Sequence, residues 1–123
     1  MAAVVDATLE RWFTAPYRSA NPKMMQRIGD MIRATSVEGY TACGRAIAPL
    51  NYTERLRGIR CPVLVMVGEQ DSGTPPAMAR AIHEAIPGSR FRAIPSAAHL
   101  SNIEQPLAFN KALADFYGIP LDA

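Results

Sequence analysis

The sequence predicts an α/β fold, a helical stretch followed by β-α-β-α with two parallel strands, and three observations predict it. Apolar residues recur at helical spacing from Ala2 to Leu56. A run at 63–67, "VLVMV", has no polar alternation, which is the pattern of a strand covered on both faces of a parallel sheet. One helix-length later, "SRFRAIP" alternates as a more peripheral second strand would.

Each helical element has a start or stop signal. In "DATLERWF" Leu9, Trp12 and Phe13 share a face, and Ala15-Pro16 breaks the run. "NPKMMQRIGDMIRAT" offers Asn21 as N-cap and Pro22 at the first helical position, with Met24, Met25, Ile28, Met31 and Ile32 as a core-facing stripe. In "TSVEGYTACGRAIAPLN" Thr35 and Glu38 have capping-box spacing, and Pro49 and Asn51 end the helix. "YTERLRGI" adds a turn or two, capped by Thr53.

From Arg60 the texture changes. The apolar run enters through Pro62 and leaves at Gly68. "GTPPAMARAIHEAIPG" is a helix with Thr74 as cap, Pro75 at the first position and Met78, Ala81, Ile82 and Ile86 as its inner stripe. After "SRFRAIP" and a small-residue loop, Ser101 and Glu104 form a second capping box. A final helix follows with Leu107, Phe109, Leu113 and Phe116 before Gly118. The division falls at 1–58, a helical segment, and 59–123, an α/β segment with a right-handed crossover expected. Two strands alone leave an apolar strand unpaired along one edge, so another surface must lie beside it.

Composition narrows the classes. Of 123 residues, 49% are hydrophobic and 20% charged, the balance of a globular domain. The net charge is +2, with the basic excess dispersed over the first sixty residues, which gives no nucleic-acid footprint. "MAAVVDATLERW" lacks a basic leader and is interrupted at Asp6, so neither a signal peptide nor a membrane span is expected. Cys43 and Cys61 form no disulfide or zinc pattern and are expected as buried, reduced thiols, consistent with a cytoplasmic setting.

Chemistry concentrates at the carboxyl ends of the two strands, where parallel sheets carry their ligand-binding loops. Asp71, in "GEQDSGTPP", follows the first strand and His99, in "PSAAHLS", follows the second. Neighbouring strands lie about 4.8 Å apart, so the two loops run side by side. A carboxylate bonded to one imidazole nitrogen fixes the tautomer and leaves the other nitrogen to accept a proton. Taken singly, Asp71 suits a turn and His99 a half-buried polar position; His83, mid-helix, is expected on the surface.

These residues carry a resemblance. "RCPVLVMVGEQDSGTPPAMARAIHEAIPGSRFRAIPSAAHLSNIEQPLAFNKALADFYG" resembles the carboxyl-terminal part of α/β-hydrolases, and within them the 3-oxoadipate enol-lactonases, through an acid loop like "GxxDxxTPP" and a base loop like "AAHLSNxEQPxxFN". "LERWFT" through "EGYTACGRAI" resembles the cap of the same enzymes, while dehalogenases and carboxylesterases share part of the pattern. The resemblance implies a partial α/β-hydrolase fold with Asp71 as triad acid and His99 as triad base. It implies a small carboxylated enol-lactone as substrate and neither metal nor organic cofactor. Trp12 is then a candidate for the substrate pocket or else an aromatic packing residue, and Arg11 or Arg18 a partner for the substrate carboxylate or else part of a solvated charged face.

The chain departs from that family at the nucleophile. Its members carry a serine on a GxSxG elbow ahead of the acid and histidine, and no such motif occurs here. Ser19, Ser36, Ser72, Ser89, Ser96 and Ser101 lack flanking glycines at that spacing, and Cys43 lies inside a helical pattern. Three readings follow. The chain is the cap and carboxyl-terminal part of a lactone or ester hydrolase, acting on a small lactone once a serine-bearing segment completes it. Alternatively it is a non-catalytic domain that self-associates through its strand edge or swapped helices, or one half of a split enzyme.

Overall fold

The computed structural model describes residues 1–120; the last three positions of the expected 59–123 segment lie outside the described residues. After a 3₁₀ turn at Ala2–Val4 come α1 (Val5–Trp12), α2 (Ala15–Ala20), α3 (Pro22–Ala34) and α4 (Val37–Ile47). A second 3₁₀ turn at Thr53–Gly58 leads into β1 (Leu64–Gly68), α5 (Pro76–Ala85), β2 (Arg90–Ile94), α6 (Ser101–Glu104) and α7 (Pro106–Tyr117). The two strands pair in parallel, with Leu64 opposite Arg90 and Gly68 opposite Ile94. Both expected strands are present, the first displaced by one residue. No helix among the described residues is long and apolar enough to cross a membrane.

The core lies where α7 meets the sheet: Ile94, Ala97 and Ala112 are buried together, with Met66 and Ala108 packed against them. The small residues of α7 let it lie close to β2, and Gly118 ends it in the left-handed region at φ 68°. On the helical side α1 packs on α3. There a Cβ on Gly29 would come within 3.3 Å of Val5 Cγ1, so glycine sets the closeness of that crossing. Phe13 is fully buried and its ring stacks on Tyr17 at 5.5 Å.

Several local expectations are corrected, because the groups concerned take other partners than the helix start they precede. Asn21 stands at the N-cap of α3 as expected but makes no side-chain cap bond there; its Nδ2 donates to Tyr17 O and closes α2. Ser36, not Thr35, caps α4 by accepting from Gly39 N at 3.2 Å, while Thr35 donates back to Met31 O. Thr53 caps nothing; its N–H donates to Asn51 Oδ1. Helix α5 starts at Pro76, which leaves Thr74 in the preceding loop. Ser101 and Glu104 form no capping box, and Pro106 splits the expected single helix into α6 and α7. His83 is half-buried: its ring packs on Phe91 at 5.7 Å and its Nδ1 lies 2.7 Å from Ser89 Oγ.

The expected inner stripes are only partly covered. Ile86 and Ile32 are buried, yet Met78, Ile82, Met31 and Leu107 are exposed. All of α4 is exposed, including Val37, Tyr40 and Ile47, and both Cys43 and Cys61 are exposed rather than buried. Among the described residues β1 pairs with β2 alone, so its other edge is bare. The apolar residues for a larger core are present, but their partners are not in residues 1–120.

Candidate active site

The β1 and β2 exits build the site together. Gly68, the last residue of β1, sits against the loop after β2, where a Cβ would overlap the carbonyl oxygens of Ala97 and Ala98. Gln70 N donates to Ala97 O at 2.8 Å and Glu69 N to Ile94 O at 3.0 Å, so the two loops are joined through their backbones. Ala97 and Ala98 are buried, and Ser96 just before them turns through φ 53°. His99 emerges from this packed base.

Asp71 is buried and fully hydrogen-bonded. Its Oδ1 accepts from the N–H groups of Gly73 and Thr74, each at 2.9 Å. Its Oδ2 accepts from the Thr74 hydroxyl at 2.8 Å and lies 2.8 Å from His99 Nδ1. An ionised carboxylate only accepts, so this network assigns the Nδ1 proton to His99 and leaves Nε2 with its lone pair. Burial pushes the Asp71 carboxyl up. The hydrogen bonds from the Thr74 backbone, His99 and the Thr74 hydroxyl, with the His99 charge, outweigh it and hold the group below its ordinary value of 3.8.

The imidazole is reachable: the His99 side chain is 40% exposed against 4% for Asp71. Trp12 stacks on it, ring centres 6.4 Å apart and planes within 23°. The Trp12 carbonyl also accepts from Leu100 N at 3.1 Å, which ties the end of α1 to the residue after the histidine. On one side of His99 opens a cavity of about 310 Å³ lined by Val67, Asp71, Thr74, Met78, Ile82 and Ser101. Beyond Trp12 lies an apolar one of about 330 Å³ lined by Ile28, Met31, Ile32, Leu100 and Ile103.

The two arginines have different places. Arg18 is committed to structure, since its guanidinium donates to Phe13 O at 2.7 Å and Glu10 O at 3.3 Å at the end of α1. The stem of Arg11 lies along the acid loop, where a Cβ on Gly73 would meet its Cδ at 2.8 Å. None of the six serines named above is hydrogen-bonded to His99 among the described residues, although Ser101 shares its cavity. The described residues contain no cluster of three His, Cys, Asp or Glu side chains able to hold a metal.

A parallel strand pair with a carboxylate loop and a histidine loop at its carboxyl end is the arrangement of the alpha/beta hydrolase fold, and the model of that family matches residues 5–106. The chain belongs to that family. It is 33% identical over 113 residues to 3-oxoadipate enol-lactonase 2 of Acinetobacter baylyi, covering 92% of this chain and 42% of that protein. It is 31% identical to enol-lactonase 1 of the same organism, covering 94% and 43%. The crystal structure of the enol-lactonase from Burkholderia xenovorans superposes with a TM-score of 0.92 at 38% identity, over 96% of this chain and 45% of that one. A thermophilic esterase from Thermogutta terrifontis superposes at 0.87 with 29% identity, over 94% and 43%. The chain thus spans less than half the length of these relatives.

Sequence reasoning named Asp71, His99 and Trp12, and the structure brings all three together. It missed Thr74 and Glu104, which it assigned to helix caps, and the packing role of Gly68. The spacing Asp-Ser-Gly-Thr was the available signal for Thr74, because an Asp side chain commonly accepts from the N–H groups two and three residues on.

Proposed function

We propose that this chain supplies the acid and base of a carboxylic ester or lactone hydrolase, with Asp71 as acid, His99 as base and Trp12 beside the substrate. The observation that carries the reading is the 2.8 Å contact between His99 Nδ1 and Asp71 Oδ2 at the exits of adjacent parallel strands. In the completed site, His99 Nε2 takes the proton of a serine hydroxyl as its oxygen attacks the substrate carbonyl. Asp71 stabilises the resulting imidazolium. His99 then gives that proton to the leaving oxygen, takes one from the water that attacks the acyl-serine, and returns it to the serine oxygen as the acid departs. The serine and the oxyanion donors come from a segment outside these 123 residues, since no GxSxG occurs among them.

The similarity to 3-oxoadipate enol-lactonases supports a small, carboxylated enol-lactone as substrate. Of the two arginines considered, Arg18 is already engaged, which leaves Arg11, whose stem lies along the acid loop, as the partner proposed for the substrate's carboxylate. The test joins the chain to the GxSxG-bearing segment of an enol-lactonase and follows lactone hydrolysis. Turnover that disappears in His99→Ala supports the reading; a folded, stable hybrid without turnover contradicts it.

The bare edge of β1 and the exposed apolar face of α4 favour a second reading for the chain by itself, in which two copies associate through these surfaces. Sedimentation across a range of concentrations tests it. A dimer supports it, and a well-folded monomer at every concentration ends it.

A further inference from the structure

The acid–base pair leaves one buried carboxylate unused. Glu104 is 6% exposed and forms no ion pair among the described residues. Its Oε1 accepts from Thr14 N at 2.9 Å and from the Thr14 hydroxyl at 2.7 Å, ninety residues away in sequence. Its Oε2 accepts from the N–H of Ala98, the residue just before His99. A buried carboxylate satisfied by three donors and no cation is costly to move, because any donor that leaves strands part of the charge. The carboxylate therefore acts as a rigid bridge between the start of α2 and the backbone from which the imidazole projects.

We propose that Glu104 is a positioning residue for His99. The peptide between Ala97 and Ala98 is held from three directions: Glu104 takes Ala98 N–H, Gln70 N–H takes Ala97 O, and the bare Cα of Gly68 lets both carbonyls approach. Gln70 and Gly68 belong to the sheet side, so Glu104 is the tie from the helical side. It acts alongside Leu100 N to Trp12 O and the Tyr17 hydroxyl to Ile103 O at 3.3 Å. Through Glu104, a shift of α2 reaches the His99 backbone directly. The helical segment thereby sets both the Asp71–His99 spacing and the Trp12 ring over the imidazole.

Glu104→Gln tests this, because an amide has one acceptor oxygen and its NH₂ must face either Thr14 or Ala98 N–H, donor against donor. The Ala98 amide should exchange with solvent at least tenfold faster, and the His99 Nδ1 proton resonance should broaden or vanish. Thr14→Val, which exchanges the hydroxyl for a methyl and so removes its bond to Glu104 together with its cap on Tyr17 N, should give a smaller change of the same kind and serves if Glu104→Gln fails to fold. Val5→Ala, a core truncation between α1 and α3, controls for lost stability and should leave the His99 resonance in place. An unchanged His99 signal in either Glu104→Gln or Thr14→Val, or the same loss in Val5→Ala, overturns the proposal. The inference rests on His99 being the base. Its readout needs no turnover, so an intact coupling in a hybrid that cannot hydrolyse lactones faults the functional reading alone.

Discussion

Asp71 Oδ2 and His99 Nδ1 lie 2.8 Å apart although the two residues stand 28 positions apart in the sequence. The contact is made by two loops leaving adjacent parallel strands, and each loop is immobilised before it reaches the other. Asp71 is held by two N–H groups and a hydroxyl of its own loop, and His99 by the buried alanines that precede it. The pair is preorganised in a chain that has no nucleophile elbow.

Replacing Asp71 by Asn keeps an oxygen for the Gly73 and Thr74 N–H groups but puts an NH₂ opposite His99 Nδ1 and the Thr74 hydroxyl. The expected cost is about 1–3 kcal/mol, the range for leaving buried polar groups unpaired, read from urea midpoints. In the hybrid carrying a serine, kcat should fall by about 10⁴ with little change in KM, the effect of losing the correct imidazole tautomer.

Acid should weaken the fold through the same carboxylate. Folding lowers the Asp71 carboxyl, so its contribution is complete above the ordinary value of 3.8 and is lost as pH falls below that through the folded value. Urea midpoints between pH 6 and pH 2 should therefore drop more steeply for the parent than for Asp71→Asn, with the two curves converging at the acid end. Parallel curves would show that Asp71 gains nothing from its partners.

Gly68 is fixed by space rather than by backbone angle. A methyl group there overlaps two carbonyl oxygens of the histidine loop, and backbone cannot yield as a side-chain tip can. Gly68→Ala should destabilise by about 1–3 kcal/mol, as overpacked cores do, and should also disturb the His99 resonance. Gly44→Ala, in an exposed helix with nothing within 4 Å of the added methyl, is the control. It should be neutral or stabilising, because alanine favours a helix interior.

How much of this was legible in the sequence depends on how far each residue's partner lies. The strand at Val63–Val67 was readable because a short, valine-rich apolar run bounded by Pro62 and Gly68 suits a buried strand, and it pairs with β2 as expected. Asp71 and His99 were readable because topology alone places the ends of successive parallel strands together. Thr74 and Glu104 were misassigned because capping spacing names only the backbone of the following turn as a partner: the Thr74 hydroxyl instead bonds the Asp71 carboxylate of its own loop, and Glu104 bonds Thr14, ninety residues away. The stripes of α3 and α5 read as core because helical periodicity reports that a face is to be covered, not by what. Met31, Met78 and Ile82 remain exposed since residues 1–120 supply nothing to cover them.

The central claim is that Asp71 holds the proton on His99 Nδ1 and keeps Nε2 as the acceptor. Long-range ¹H–¹⁵N correlation spectra of the neutral imidazole, recorded on the parent and on Asp71→Asn, measure it directly. The account predicts a protonated Nδ1 and a bare Nε2 in the parent, with that preference lost or reversed in the variant. A parent spectrum with the proton on Nε2, or the same tautomer in both proteins, would contradict it.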